Sequence, residues 1–130
     1  MSAENLEIAR AIRGSLLTGG PEAAADYFHP DVTFEVAVGH FEGIEGMSTW
    51  FRTIANYLID YEIVDAEYTE VGDGVIVNNM MRARGGHTPL ATQDQFYLLL
   101  FKDGKVIRVS RHADAEEARA SAEGSVPPSG

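Results

Sequence analysis

The stretch TQDQFYLLLFKDGKVIRVSRH, Thr92 to His112, reads as a β-hairpin with both strands and the turn written out. Two runs rich in β-branched, aromatic and leucine residues flank Asp103-Gly104, a dipeptide that tolerates the positive φ angles of a two-residue turn. With those two residues as the loop, Phe101 stands opposite Val106, Leu100 opposite Ile107, Leu98 opposite Val109 and Phe96 opposite Arg111. Opposed residues share a face. This register gathers Phe96, Leu98, Leu100, Ile107 and Val109 on one side, which turns polar at its far end, where Asp94 lies diagonal to Arg111. The other side carries Gln95, Tyr97, Leu99, Phe101, Val106, Arg108, Ser110 and His112. The first side is expected to wall a pocket, since an apolar floor desolvates a ligand and an acid and a base orient it. A plain ion pair at a sheet edge gives the same pattern.

Composition bounds the rest. At 130 residues, 45% of them hydrophobic, the chain is expected to form one domain over residues 1–122, followed by a disordered tail, EGSVPPSG, over 123–130. The formal charge of −10 sets it against nucleic-acid phosphates and anionic membrane surfaces, and favours a small neutral or weakly charged ligand. Without cysteine there is no disulfide framework, thiolate nucleophile or thiolate metal site. The opening MSAENLEIARAIRG lacks the apolar core of a signal peptide, and no later stretch approaches membrane-spanning length, so the expected location is the cytoplasm.

Outward from the hairpin, periodicity supplies the other elements. Ser2 can cap a first helix on which Ile8, Ala9, Ile12 and Leu16 form one stripe, and Gly19-Gly20 stops it. Pro21 opens a short second helix, PEAAADYF, pointing Tyr27 and Phe28 inward, and His29-Pro30-Asp31 turns the chain. Val32 to Ala37 alternates as a strand with Val32, Phe34 and Val36 on one side. GHFEGIEG reads as a glycine-punctuated loop, after which Gly46 or Ser48 opens a third helix with Trp50, Phe51, Ile54, Tyr57 and Leu58 on its apolar face. From Ile59 the apolar phase runs Ile59, Tyr61, Ile63 and then switches to Val64, Ala66, Tyr68, which predicts a long strand with one inserted residue near Val64. A further strand, Val75 to Arg84, points Val75, Val77, Met81 and Ala83 one way with Asn79 as the polar exception, and Arg82 and Arg84 toward water. After the loop GGHTPLA and the hairpin, Asp114 with Glu117 forms a capping box for a last helix, AEEARASA. Helices early and consecutive antiparallel strands late give an α+β domain, a bent sheet wrapped against helices as a cone with an internal cavity.

These residues resemble the SnoaL-like branch of the nuclear transport factor 2 fold. The matching features are the opening helix, FHPDV at 28–32, GHFEGIEG at 39–46, the strand ending in RARGG, and FKDGKVIR with a downstream Asp114 and EEA. The resemblance implies a curved mixed sheet closing over a pocket and a homodimer built through the sheet. The family's activities are diverse, among them polyketide cyclases, ketosteroid isomerases, limonene epoxide hydrolases and dehydratases. Fold therefore fixes the place of a site and leaves its chemistry open.

Cyclases and isomerases of this kind remove a proton beside a carbonyl with a carboxylate or histidine in an apolar pocket, while hydrogen-bond donors hold the enolate. Asp94 is the candidate base, Arg111 the candidate oxyanion or carboxylate clamp, and Asn79 a buried amide that a ligand or a neighbouring backbone group could satisfy. The alternative for Asp94 and Arg111 is a structural ion pair. Tyr27, Phe34, Trp50, Tyr57, Phe96, Leu98 and Val109 are the expected pocket wall, each equally readable as ordinary core. Limonene epoxide hydrolases place an acid three positions before the last strand's closing aspartate, where this chain has Arg111, which speaks against epoxide hydrolysis. His29, His40, His87 and His112 show no paired ligand spacing, so no metal is expected, and GHFEGIEG lacks the strand and lysine of a phosphate loop, so no nucleotide cofactor is expected. The leading expectation is a cofactor-independent binder of a hydrophobic, oxygenated small molecule that catalyses isomerisation or cyclisation. A non-catalytic ligand-binding or dimeric scaffold domain is the alternative.

Overall fold

The computed structural model describes residues 2–18, 22, 24–36, 39–83 and 93–124. In chain order these form α1 (Ser2–Thr18), a 3-10 turn (Ala25–Tyr27), β1 (Phe28–Val36), β2 (Gly39–Glu42), α2 (Gly43–Asp60), β3 (Tyr61–Val71), β4 (Gly74–Ala83), β5 (Gln93–Lys102), β6 (Lys105–His112) and α3 (Ala115–Gly124). One open six-stranded sheet runs in the order β2-β1-β6-β5-β4-β3, antiparallel throughout except for the parallel pairing of β1 with β6. The α+β class and the meander of the last four strands are as the sequence predicts.

Two apolar interiors lie on opposite faces of this sheet. On the first, α1 packs across β4 and β3, and α2 packs on β1. Ala9 and Ile12 of α1 and Met47, Trp50 and Phe51 of α2 are buried there with Phe28, Val32, Phe34, Val75, Val77, Tyr97, Leu99, Val106 and Val109. The aromatic rings interlock at close range: Phe34 and Trp50 centroids are 5.1 Å apart, Trp50 and Phe51 5.5 Å, and Trp50 and Tyr97 6.0 Å in an edge-on arrangement. Burial of each such large side chain contributes about 1.5–3 kcal/mol relative to exposure. On the second face Ala118 and Ala122 of α3 cover Ile76 and Leu98. The helix starts as its sequence dictates, with the Glu117 N–H donating to Asp114 Oδ1 at 2.8 Å, and it reaches Gly124, two residues past the predicted boundary at 122. The remainder of the expected tail lies outside the described residues, as do Arg84, the GGHTPLA loop with His87, and the Gly19-Gly20-Pro21 junction.

The hairpin turn is the predicted one, with Asp103 at φ 54° and Gly104 at φ 78°. The register holds for Lys102 with Lys105 and Phe101 with Val106, and then slips: Leu100 pairs with Arg108, Leu99 with Val109, Leu98 with Ser110, Tyr97 with Arg111 and Phe96 with His112. Ile107 is the extra residue. Side chains alternate with period two, so this one-residue slip exchanges the partners of every later position. Val106 and Val109 thereby share the first face, and Arg108, Ser110 and His112 take the second. The grouping of Leu98 with Val109, and of Asp94 with Arg111, is corrected accordingly.

Three further boundaries differ from the sequence reading. Phe28 to Asp31 belong to β1 rather than to a second helix and turn; of the expected helix PEAAADYF, Glu22 and Ala24 are helical, Ala25–Tyr27 form the 3-10 turn, and Pro21 and Ala23 lie outside the described residues. Pro30 has no N–H to give a ladder and sits where β1 loses register against β6, between Phe28 paired with Val106 and Thr33 paired with Arg108. Gly39 to Glu42 form a short edge strand on β1 instead of a loop, and α2 then begins at Gly43 and runs to Asp60, so that Ile59 is helical and 69% exposed. A Cβ on Gly46 would stand 2.9 Å from Phe41 Cβ, and the bare glycine lets α2 lie directly on β2. The inserted residue near Val64 is present: Ile63 pairs with Met81 and Asp65 with Met80, leaving Val64 over.

Candidate functional site

A cavity lies on the first face between the two long helices and the middle of the sheet. Its helical wall is Ala9, Ile12 and Arg13 of α1 with Trp50 and Ile54 of α2. Its sheet wall is Ile63 of β3, Val77, Asn79 and Met81 of β4, and Gln95, Tyr97 and Leu99 of β5. The space open to the centre of a water-sized sphere is about 50 Å³. A single water needs roughly 10–15 Å³ of such space, so the cavity suits a compact guest.

Each lining residue reaches the cavity for a local reason. The Val64 bulge keeps Ile63 on the same face as Ala66 and Tyr68 despite the odd spacing between them. Straight alternation along β4 sets Val75, Val77, Asn79 and Met81 on that face, as predicted. Alternation along β5 sets Gln95, Tyr97 and Leu99 beside them, in register opposite Asn79, Val77 and Val75. On α1, Arg13 follows Ala9 by four residues and so borders the apolar stripe.

The polar groups are few and incompletely satisfied. Among the described residues, Asn79 Oδ1 and Arg13 Nε are buried without a hydrogen-bond partner. An unmet buried polar group costs about 1–3 kcal/mol, so each is a place where a guest's complementary atom gains most. Gln95 is buried at the same wall. Tyr68, half-buried on β3, holds its phenol proton above the ordinary tyrosine range because burial disfavours the phenolate, while Arg13 and Arg10 pull it partly back. Arg10 itself lies 5.4 Å from the Tyr68 ring centroid.

The sequence-predicted site residues divide between the two faces. Asn79 and Trp50 line the cavity. Phe34 and Val109 are fully buried in the core beside it, and Tyr27 packs half-buried against the same core. Arg111 faces the cavity side one strand further on, 5.8 Å from the Tyr97 ring centroid, with its Nε buried and unpartnered among the described residues. Phe96 and Leu98 point to the opposite face, against the α3 interior. Asp94 is exposed on that opposite face, paired in register with Met80, and neither lines the cavity nor meets Arg111. The Tyr57 side chain lies outside the description. Arg13 and Gln95 escape the sequence reading; the signals for them are the helical spacing from Ala9 and the shared parity with Tyr97 and Leu99.

On the second face Ser110, His112 and Glu117 form a chain of contacts. Ser110 Oγ is 2.7 Å from His112 Nε2, and His112 Nδ1 is 3.2 Å from Glu117 Oε1. A His112 that donates from Nδ1 to the carboxylate leaves Nε2 to accept the serine hydroxyl, the order of groups that activates a serine nucleophile. Ser110, however, is only 3% exposed in the middle of a paired strand, with Glu35 and Leu98 as its neighbours on either side. Backbone N–H groups committed to a ladder cannot form an oxyanion hole, so the chain is a fastening between β6 and the start of α3. Among the described residues no three histidine, aspartate or glutamate side chains stand together as a metal site.

The family model of the SnoaL-like domain matches residues 8–109. The chain belongs to the SnoaL-like family. No curated protein matches it. Solved structures similar to this SnoaL-like chain include a candidate polyketide cyclase from Sinorhizobium meliloti, 20% identical, with 86% of this chain and 99% of that one covered at a TM-score of 0.66. TerC co-crystallised with polyporic acid is 22% identical, with 92% and 96% covered and a TM-score of 0.67. A protein of ketosteroid isomerase-like fold from Catenulispora acidiphila, in complex with trimethylamine, is 21% identical, with 90% and 92% covered and a TM-score of 0.58. At these identities the likeness shows the shared nuclear transport factor 2-like fold. No helix among the described residues of this SnoaL-like chain is long and apolar enough to cross a membrane.

Proposed function

We propose that this SnoaL-like chain binds a compact, hydrophobic, oxygen-bearing small molecule in the cavity between α1, α2 and the sheet. The observation that carries the reading is the cavity wall itself: among the described residues, an apolar surface interrupted by Arg13, Asn79 and Gln95, the first two of which hold buried atoms without partners. Apolar walls supply affinity by desolvation and sparse polar groups supply orientation.

A proton-transfer reaction of the isomerase or cyclase kind is the second reading. Arginine and amide donors are the half of such a site that holds an enolate oxygen. The likeness to a structure described as a candidate polyketide cyclase adds to it. Against it, among the described residues no carboxylate or histidine lines the cavity, so the base half of the chemistry has no described occupant.

The experiment is a titration with compact oxygenated molecules, ketones and acids of one or two rings, followed by thermal shift and by the emission of Trp50, the chain's single tryptophan. A hit should raise the melting temperature, alter the emission and weaken in Asn79→Ala. Unchanged melting and emission across the panel would refute the reading. Deuterium exchange into a bound ketone, above the rate without protein, would decide for catalysis over binding.

A further inference from the structure

We infer that the cavity selects an acid: a compact apolar molecule whose anionic oxygen, carboxylate or enolate, pairs with Arg13. This rests on the binding reading above and narrows it to a substrate class. Among the described residues, Arg13 is the one cationic member of the cavity lining, and no aspartate or glutamate shares that wall to neutralise it. Two other partly buried guanidinium groups find carboxylates: Arg82 Nη2 is 2.6 Å from Glu62 Oε1, and Arg108 Nη2 is 2.8 Å from Glu35 Oε2. Arg111, the other guanidinium with a buried unpartnered Nε among the described residues, stacks on Tyr97 and is not part of the described cavity lining. Arg13 has no such partner among the described residues, and its Nε lies buried without an acceptor.

The scarcity of anions at this point is notable in a chain with 20 acidic and 10 basic residues. Tyr68, near Arg13, does not supply the charge, because burial holds its phenol in the protonated form. A guanidinium facing an apolar cavity with an open donor is complementary to a planar anion, which accepts from it in a fixed geometry. Asn79 Oδ1 offers the opposite complement, an acceptor for a hydroxyl on the same guest. The overall charge of −10 repels acids in solution, so any preference for one arises locally.

A matched pair of probes tests this. Naphthalene-2-carboxylate and 2-acetylnaphthalene have nearly the same shape and differ in charge. Calorimetric titration of the full chain should give the carboxylate an affinity about tenfold or more above the ketone, as a charge-assisted bond implies. Arg13→Gln should bring the two affinities together, chiefly by weakening the carboxylate, and Arg13→Lys should restore part of the difference. Circular dichroism and melting establish that both variants fold. Equal affinities in the unaltered chain, or a carboxylate preference that survives in Arg13→Gln, would overturn the inference and leave the binding reading standing. Binding of neither probe would overturn both.

Discussion

Leu98 and Leu99 are consecutive in β5 and buried in different interiors, Leu98 under α3 with Ile76, Ala118 and Ala122, and Leu99 on the cavity wall with Val77 and Tyr97. Replacing either with alanine removes a buried side chain and should cost about 2–5 kcal/mol in urea unfolding. The two variants should part in ligand binding. Leu99→Ala should change the affinity of any cavity ligand several-fold, and Leu98→Ala should leave it within error. Equal effects on binding would mean that the two faces are not separate.

Asn5 is 4% exposed, and its Nδ2 donates to the Asp73 carbonyl oxygen at 2.8 Å, tying α1 to the turn between β3 and β4. Asn5→Ala should lower stability by about 0.5–1.5 kcal/mol, the usual net value of such a bond. Hydrogen exchange should rise at the amides of that turn and of the first turns of α1, with the β5–β6 hairpin unaffected.

Much of this architecture is legible in the sequence, and the failures have physical causes. Asp103-Gly104, the bulge at Val64, the inward parity of Asn79 and the Asp114 cap all follow from short-range rules that the tertiary structure obeys. The hairpin register does not follow, because Phe96 to Phe101 is apolar on both sides and alternation cannot say which side faces which interior. The pair Val106 and Val109 with Arg108 between them is the surviving trace of the slip at Ile107. β2 is missed because four edge residues, three of them exposed and one a glycine, carry almost no pattern, and Asp94, which does share a face with Phe96 and Leu98, loses its expected neighbour Arg111 because that pairing depends on the same register.

Gly46→Ala sets helix propensity against packing. Alanine is worth about 1 kcal/mol over glycine in a helix interior, yet the new methyl would stand 2.9 Å from Phe41 Cβ and 3.0 Å from its carbonyl carbon. Overpacking of this kind costs about 1–3 kcal/mol, and because part of the obstacle is backbone the net change should be destabilising. A higher melting temperature in Gly46→Ala would show that β2 yields.

The raised titration of Tyr68 carries a sign. Well below its usual value of 10.0 both folded and unfolded chains keep the phenol proton, and its contribution to stability is intact. As pH rises further the unfolded chain loses the proton first, so stability falls until the folded phenol also titrates. Absorbance titration should show a late-ionising contribution that Tyr68→Phe removes, and the same substitution should flatten the alkaline loss of stability. Arg13→Gln should push the step later still, since the guanidinium pulls it down.

His112 should act as a fastener rather than as a catalyst. His112→Ala severs contacts to both Ser110 and Glu117 and should cost about 1–2 kcal/mol, with faster exchange in α3. Ser110→Ala should leave the slow background hydrolysis of p-nitrophenyl acetate unchanged. A drop in that rate would establish the serine as a nucleophile.

Ile107 has a corollary for comparing lengths among homologues. Since Phe101 already faces Val106 and Leu100 already faces Arg108, a chain lacking Ile107 can close the hairpin seamlessly with every later side chain oriented as it is now. Related strands one residue shorter should therefore be aligned with their gap at this position, and the inside-outside assignment of the segment from Arg108 to His112 carries over to them unaltered.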